Sequence, residues 1–226
     1  MRYEELNWMD VEKYLEHDDR LILVLGSTEQ HGYLSLATDV KIPMAVADVV
    51  SQRTGVLVAP PLNYGITPYF VTYPGTISVR TSTYIAMVED IVRCVYQQGF
   101  RRVLVLNGHG GNMPGQYVMW EVMNDCPGLK VSWYSWWTSN SVSAVAMKYG
   151  LEPEHANWLE AFPFTKVTEL PQGEKTPVHA KGLMSAAESR EAYGDGAFGG
   201  KYEADPAVMD EMFAAVVQDV MYLLEF

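Results

Sequence analysis

The hydrophobic pattern of the chain consists of short apolar runs that alternate with longer amphipathic stretches. Three runs cover residues 21–25, 56–59 and 102–106, and residues 130–134 form a fourth, more mixed segment. A short apolar run that ends in glycine, proline or a polar turn is typical of a strand buried on both faces of a sheet. We therefore predict four strands at these positions.

The stretches between these runs predict helices. Apolar residues recur every three or four positions in residues 39–53, 82–98, 113–124, 139–149 and 206–224. The helix over 82–98 is the clearest, because Gly99 supplies a stop directly after it. Residues 62–81 and 150–205 are rich in glycine and proline and predict irregular structure, with a candidate strand at 76–79.

Strands that alternate with helices predict an α/β fold with a mostly parallel sheet covered on both faces. No repeat, linker or low-complexity segment interrupts the chain, so we predict one domain over residues 1–226. Sites in such sheets form at the carboxyl ends of strands. Residues 26–39 and 107–112 both follow predicted strands, and we therefore expect them at the same edge of the sheet.

Composition argues against two classes of partner. The net charge is −12, the pI is about 4.8, and the lysines and arginines do not cluster, so nucleic-acid binding is not expected. The chain has no run of about 18 apolar residues that could span a membrane. Its charged first residues lack the apolar core of a secretory signal. We expect a cytoplasmic protein that acts on a small molecule.

Side chains that can bind metal fall in the two strand-end loops. Glu29, His31 and Asp39 follow the first predicted strand, and His109 lies between glycines after the third. Imidazole and carboxylate together are typical ligands of zinc and manganese. Each histidine alone is equally well explained as a hydrogen-bonded loop residue. Their coincidence with carboxylates at strand ends favours a metal site.

Five motifs resemble those of the creatininase family of metal-dependent amidohydrolases. They read LGSTEQHG over residues 25–32, LATD over 36–39, PPLNYGI over 60–66, YPGTIS over 73–78 and LNGHGGN over 106–112. The motifs occur in the family's order over the first half of the chain. The resemblance implies a three-layer αβα fold with a central, mostly parallel sheet.

The resemblance also implies two divalent metal ions per subunit, of zinc, manganese or iron. On the family pattern, Glu29, Asp39 and His109 hold one ion, and His31 and the bridging Asp39 hold the other. The second ion needs one more carboxylate. In creatininases proper that carboxylate follows the histidine by two residues, where this chain has Gly111.

A later His-Ala-x-x-x-Glu stretch offers the missing carboxylate. Residues 155–160 have this spacing, so the resemblance implies Glu160 as the last metal ligand and His155 as an acid–base or substrate contact. The competing match pairs His179 with Glu188, and its spacing is four residues longer. We favour Glu160.

Two departures from the family concern the substrate. The loop after His31 is one residue shorter and lacks a second histidine, and Gly111 argues against hydrolysis of creatinine itself. Creatininase-like enzymes cover a small planar substrate with aromatic residues. We predict Tyr33, Tyr73 and Trp137 as substrate-binding residues.

The predicted reaction is hydrolysis of a non-peptide C–N (amide) bond of a small, in some cases cyclic, nitrogen compound by a metal-bridging hydroxide. A formamide deformylase and a peptidase are alternatives within the family. A Rossmann-like nucleotide-binding protein is an alternative of another class, although GHGGN over residues 108–112 does not match GxGxxG. The resemblance also implies a homo-oligomer, a hexamer in the family.

Overall fold

A four-stranded parallel sheet lies at the centre of the computed structural model, which describes all 226 residues. Its strands are β1 (Arg20–Leu25), β2 (Leu57–Val58), β3 (Arg102–Asn107) and β4 (Lys130–Ser135). They lie in the order β2-β1-β3-β4, and every neighbouring pair is parallel. The four predicted strands are thus present, each within one residue of its predicted bounds.

Seven helices accompany the sheet. They are α1 (Trp8–Leu15), α2 (Thr38–Thr54), α3 (Thr81–Gln98), α4 (Met113–Asp125), α5 (Asn140–Lys148), α6 (Ala186–Tyr193) and α7 (Pro206–Leu223). Helices α2, α5 and α7 pack on one face of the sheet, and α1, α3 and α4 pack on the other. The three-layer αβα architecture is confirmed.

The core is divided by the sheet, because successive side chains of a strand point to opposite faces. Ile22 and Val24 of β1 pack against α2, α5 and α7, whereas Leu21, Leu23 and Leu25 pack against α3 and α4. All five side chains are buried. Burial of each stabilises the fold by about 2 kcal/mol, which explains why β1 reads as a continuous apolar run.

Residues 150–205 contain more regular structure than the sequence pattern predicts. Besides α6, they include a short antiparallel ribbon of β5 (Glu174–Lys175) and β6 (Gly200–Lys201). The pattern does not predict α6 because only Ser189 and Tyr193 of this helix are buried. Its sequence therefore has no apolar period.

The candidate strand at 76–79 is not a strand in the structure. Only single pairs of residues bridge there, between Thr28 and Ile77 and between Gly65 and Ser78. These bridges nevertheless tie the glycine- and proline-rich segment to the loop that follows β1. No helix in the structure has both the length and the apolarity needed to cross a bilayer.

The strand order creates a crevice at the carboxyl ends of β1 and β3. The chain passes from β1 to β2 on one side of β1, and then returns to β3 on its other side. Such a reversal separates the two loops above it, and ligands bind there in open α/β sheets. Leu25 pairs with Asn107 at the ends of the two strands, so both following loops begin side by side.

Candidate metal centre

Three of the predicted ligands come from the segment that joins β1 to α2. Glu29 and His31 lie in the loop, and Asp39 lies in the first turn of the helix. None of the three is more than 3% exposed. The hydroxyl of Ser27 donates a hydrogen bond to Asp39 Oδ2 over 2.7 Å, which fixes the orientation of this carboxylate.

His109 comes from the neighbouring strand, two residues after the end of β3. Asn107 holds the backbone of this loop through its side chain. Its Nδ2 donates to the carbonyl of His109 over 2.9 Å, and its Oδ1 accepts from the N–H of His109 over 3.2 Å. The buried imidazole is thereby held over the end of β1, beside Asp39.

The remaining carboxylate comes from a segment far away in the sequence. The side chain of Asn157 caps a short 3-10 turn over Trp158–Glu160. Glu160 Oε2 accepts the backbone N–H of Ala156 over 2.7 Å. Ala156 has a φ of 56°, in the left-handed region that alanine seldom adopts. This strained residue directs its N–H toward the carboxylate, as is common at functional sites.

Asp39 lies at the middle of the resulting cluster. Its Oδ1 is 2.9 Å from His31 Nε2, and its Oδ2 is 3.0 Å from His109 Nδ1. Glu160 Oε1 is 3.8 Å from His31 Nε2, and Glu29 Oε2 is 3.6 Å from His109 Nε2. The potential ligand atoms form two groups that share Asp39, each with its atoms within 4.8 Å of one another: Glu29–Asp39–His109 and His31–Asp39–Glu160.

Backbone carbonyls determine which nitrogen of each histidine is free. His31 Nδ1 donates to the carbonyl of Glu29 over 3.0 Å, and His109 Nε2 donates to the carbonyl of Ile66 over 2.9 Å. The other nitrogen of each neutral ring then carries a lone pair. Both lone pairs face Asp39, as is required of rings that bind a metal.

Burial and neighbouring charges shift the pKa values of the side chains in this cluster. Burial lowers the pKa of His109, but Glu29 and Asp39 outweigh this effect and raise the pKa to about 9. Burial also opposes the charge of His31, yet Asp39 and Glu160 hold its pKa well above the ordinary value. Burial raises the pKa of Glu160 to about 7. Without metal, both imidazoles therefore hold protons near neutral pH.

The donor set fits divalent cations. The carboxylates of Glu29, Asp39 and Glu160 have only histidines as ionic partners. Two protonated imidazoles cannot balance three ionised carboxylates, and unbalanced buried charge is costly. In addition, Glu29 Oε2 and His31 Nε2 are buried without a hydrogen-bond partner. A cation would satisfy both atoms, and mixed nitrogen and oxygen ligands suit zinc or manganese.

We expect metal binding to release protons near pH 7. A ligand must be deprotonated to bind, and the pKa of His109, at about 9, keeps this ring protonated at that pH. The affinity of the cluster for a divalent metal should rise with pH and level off above about pH 9. Calorimetric titration with Zn²⁺ in two buffers of different ionisation heat counts the protons. We expect between about two and three per chain, two from the histidines and a fraction from Glu160, and heats independent of the buffer would contradict this expectation.

A cavity of about 430 Å³ opens onto the cluster. Its floor includes Asp39, His109 and Glu160. Much of its wall is aromatic and comprises Tyr69, Phe70, Trp137 and Phe198. Trp137, predicted to bind substrate, therefore faces the cavity. His155 also lines it, with its side chain 16% exposed and Nδ1 3.8 Å from Glu29 Oε1.

Two of the predicted substrate-binding residues lie outside the cavity. Tyr33 packs edge-on against Tyr202, with 5.6 Å between the ring centroids, and Tyr73 is buried against Phe70. Neither is part of the cavity wall. The chain turns at Gly32, which has a φ of 55°, so proximity to the motif in sequence does not bring Tyr33 to the site.

The competing carboxylate, Glu188, serves a different purpose. It accepts hydrogen bonds from the N–H and the hydroxyl of Ser185, over 2.8 and 2.7 Å, and so caps α6. His179 is exposed and borders a separate cleft. The structure therefore brings Glu160, and not Glu188, to the other potential ligands.

Phe198 and Gln30 are among the residues of the site that have no role in the sequence-based prediction. Phe198 lies in a glycine-rich stretch without any apolar period, so the sequence carries no signal for it. Gln30 lies inside the EQH motif between two predicted ligands, and its position there was the available signal. Its side-chain Nε2 lies 3.0 Å from Nε2 of His155.

Comparisons with known proteins agree on one family. The creatininase family model, described as creatinine amidohydrolase, matches residues 4–224. A creatinine amidohydrolase from Pseudomonas putida is 36% identical over 115 residues, which cover 48% of this chain and 44% of that protein. A 3-dehydro-scyllo-inosose hydrolase from Thermotoga maritima is 31% identical over 110 residues, which cover 48% of this chain and 35% of that protein.

A third relative is a mycofactocin precursor peptide peptidase from Mycolicibacterium smegmatis, 36% identical over 100 residues. This match covers 41% of this chain and 40% of that protein. The matched regions thus span less than half of each of these three relatives.

Solved structures share the whole fold. A crystal structure of creatinine amidohydrolase (creatininase) superposes with a TM-score of 0.81 at 22% identity, and covers 98% of this chain and 95% of that chain. A manganese creatininase gives a TM-score of 0.81 at 23% identity, and the match covers 98% of this chain and 96% of that chain. Likeness at this level of identity shows the fold.

Proposed function

The chain belongs to the creatininase family, and on that basis we propose that it is a metal-dependent hydrolase of a C–N bond other than a peptide bond. Its substrate would be a small nitrogen compound. The position of Asp39 between two groups of potential ligands carries this proposal. A carboxylate shared in this way is what a two-metal hydrolase needs.

Two divalent ions would occupy the centre in each chain. One would be held by Glu29, Asp39 and His109, and the other by His31, Asp39 and Glu160. Zinc, manganese and iron suit these ligands, and structures of the fold include creatininases described with manganese and with two zinc ions. When bound, the ions act as Lewis acids on the carbonyl and lower the pKa of water.

Residues of the cavity would perform the remaining tasks. Phe70, Trp137 and Phe198 enclose a flat substrate and exclude bulk water. His155 lies at the wall, where its N–H can donate a hydrogen bond to the leaving nitrogen. In the overall reaction the C–N bond breaks, the oxygen of one water molecule joins the carbonyl carbon, and a proton joins the nitrogen.

The charge of the cavity narrows the substrate class. No lysine or arginine lines it, whereas Glu154 adds a further carboxylate to the wall. Away from the proposed ions, a phosphate group would find no cationic side chain and would lie near Glu154, although phosphate recognition usually draws on lysine or arginine. Neutral or cationic nitrogen compounds therefore fit the cavity, and a nucleotide-like formamide does not.

A peptidase is the second candidate. The observation in its favour is the 36% identity, over 100 residues, to a protein described as a mycofactocin precursor peptide peptidase. The same metal ligands would serve, because amide and peptide bonds present the same carbonyl to the centre. The size of the substrate would distinguish the two activities.

We also propose that the chain forms a homo-oligomer in the cytoplasm, hexameric as in its family. Large apolar side chains are exposed on two outer helices, with Trp8 on α1 and Tyr117 and Trp120 on α4. An interface between subunits would cover such residues.

Metal analysis together with a substrate screen tests the proposed function. We expect about two divalent ions per chain and metal-dependent hydrolysis within a panel of neutral cyclic amides, cationic amides, a phosphate-bearing formamide and short peptides. Glu29→Gln and His109→Asn should lower both metal content and activity. His17→Asn is the matched control, because His17 is exposed and remote from the cluster.

The proposal fails if the purified protein binds less than about one ion per chain and if both ligand variants behave like the control. Preferential hydrolysis of the phosphate-bearing formamide would refute the charge argument alone. Preferential hydrolysis of peptides would support the second candidate.

A further inference from the structure

Gln30 lies between two of the proposed metal ligands in the sequence, and only 4% of the residue is exposed. Two backbone groups fix the orientation of its amide. The N–H of Gly32 donates to Gln30 Oε1 over 3.1 Å, and Gln30 Nε2 donates to the carbonyl of Gly196 over 3.1 Å. Because backbone N–H groups only donate and carbonyls only accept, the amide cannot be turned over.

The same Nε2 has a third neighbour, Nε2 of His155, at 3.0 Å. An amide nitrogen has two hydrogens and no acceptor lone pair. One hydrogen goes to Gly196, so the other is donated to His155. Nε2 of His155 is therefore the acceptor, and the proton of the neutral ring lies on Nδ1.

The other edge of the ring faces the reaction space. Nδ1 of His155 is 3.8 Å from Glu29 Oε1, and the ring lines the cavity above the cluster. Phe70 stacks on it with 5.2 Å between centroids, and Phe198 packs at 4.8 Å. These two rings prevent the imidazole from turning over to exchange its nitrogens.

We propose that Gln30 is a positioning residue that fixes the tautomer of His155, so that its Nδ1–H is presented to the substrate as a hydrogen-bond donor. The role of the donated hydrogen rests on the proposed function, whereas the tautomer itself does not. The sequence-based prediction allowed His155 to act as an acid, a base or a substrate contact. This assignment restricts it to donating a hydrogen bond to the substrate. A base at Nδ1 would require a proton on Nε2, which would face the N–H of Gln30.

The three histidines of the site thus differ in the partner that sets their tautomer. Carbonyls bind one N–H of His31 and of His109 and leave a lone pair toward Asp39. In His155 an amide N–H takes up the lone pair and leaves a hydrogen toward the cavity. Although His155 lies close enough to Glu29 and His31 to form a further group of potential ligands, its lone pair points away from them. Gln30 therefore excludes His155 from metal binding.

Nitrogen NMR of protein labelled with ¹⁵N-histidine tests the tautomer directly, and the chain has only five histidines. The spectra are recorded without metal and after loading with Zn²⁺, and the His155→Asn variant identifies the signals of this ring. We expect a pyridine-type Nε2 and a pyrrole-type Nδ1 in both states. A pyrrole-type Nε2 in the wild-type protein would overturn the proposal.

The variants Gln30→Glu and Gln30→Met distinguish the effect of the donated hydrogen bond on the tautomer from an effect of packing alone. A carboxylate at position 30 can only accept, so Gln30→Glu should move the proton of His155 to Nε2, and Gln30→Met should give a mixture of tautomers. Gln172→Glu is the matched control, because Gln172 is exposed. An unchanged spectrum of His155 in a folded Gln30→Glu protein would contradict the proposal.

Kinetics with a substrate found in the screen then test the donor role. With zinc content unchanged, we expect kcat to fall about a hundredfold in Gln30→Glu, with little change in KM. An altered tautomer with an unchanged kcat would refute the donor role. Absence of hydrolysis in the wild-type protein would refute the proposed function and leave the NMR result valid.

Discussion

Replacing Glu160 with glutamine is expected to remove one of two bound metal ions and most of the activity. The amide keeps the shape of the side chain and can still accept the N–H of Ala156, but it loses the negative charge. Substitution of partners that only orient metal ligands costs 10- to 100-fold in affinity or activity. For a direct ligand we expect kcat/KM to fall by at least about a hundredfold, with about one ion per chain remaining.

The metal-free Glu160→Gln protein should be as stable as the wild type or more stable. Burial raises the pKa of Glu160 to about 7, so ionisation of this group above that pH opposes folding. The neutral amide removes this cost. In the presence of zinc the wild-type protein should be the more stable of the two, because it binds more metal and is stabilised by it. Thermal unfolding at pH 8, with chelator and with zinc, measures both effects.

Glu188→Gln is the matched control for this experiment. It makes the same chemical change at the competing carboxylate, whose oxygen caps α6 and does not reach the cluster. We expect full metal content and activity, with little change in stability, because glutamine can also accept the N–H of Ser185 at this position of a capping box. Equal metal loss in the two variants, or loss only in Glu188→Gln, would show that Glu160 is not the last ligand.

Replacing Gly111 with alanine is expected to be the most destabilising of the small substitutions near the centre. A methyl group there would lie 1.8 Å from the carbonyl oxygen of Ile66 and 2.6 Å from His109 Nε2. These two atoms form the hydrogen bond that orients His109. We expect the free energy of unfolding to fall by about 3 kcal/mol, and zinc binding to weaken because His109 is displaced.

Gly110→Ala is the matched control, one residue away in the same turn. Its methyl group would meet nothing closer than Trp137 at 3.8 Å, an ordinary contact. Urea unfolding without metal and zinc titration compare the two variants. Similar unfolding midpoints for Gly110→Ala and Gly111→Ala would refute this account. The same close approach leaves no room for a side chain, and hence for a carboxylate, at position 111.

Local sequence patterns predicted the sheet, because burial and helical period are properties of neighbouring residues. The run at 21–25 and the period over 82–98 reappear as β1 and α3 with almost the same bounds. Helix α6 escaped prediction, since its mostly exposed surface leaves no apolar period. The pattern succeeds where an element packs against the core and fails where it does not.

Apolar patterns and motifs in the chain were enough to predict the αβα fold and the family. They also predicted that Glu29, His31, Asp39 and His109 meet at one edge of the sheet. That expectation follows from connectivity, because adjacent parallel strands deliver their loops to the same edge. The sequence also showed that one carboxylate was missing.

Contacts between distant segments complete the site, and these are visible in the folded protein alone. The tertiary structure placed Glu160 beside His31 and left Glu188 at a helix end. It also excluded Tyr33 from the cavity and brought Gln30 to His155, 125 positions away in the chain. Such contacts depend on how the segment after α5 folds back over the sheet. The spacing of residues 155–160 had favoured Glu160, but no local period records the path itself, because it is set by packing between parts of the chain that are far apart in sequence.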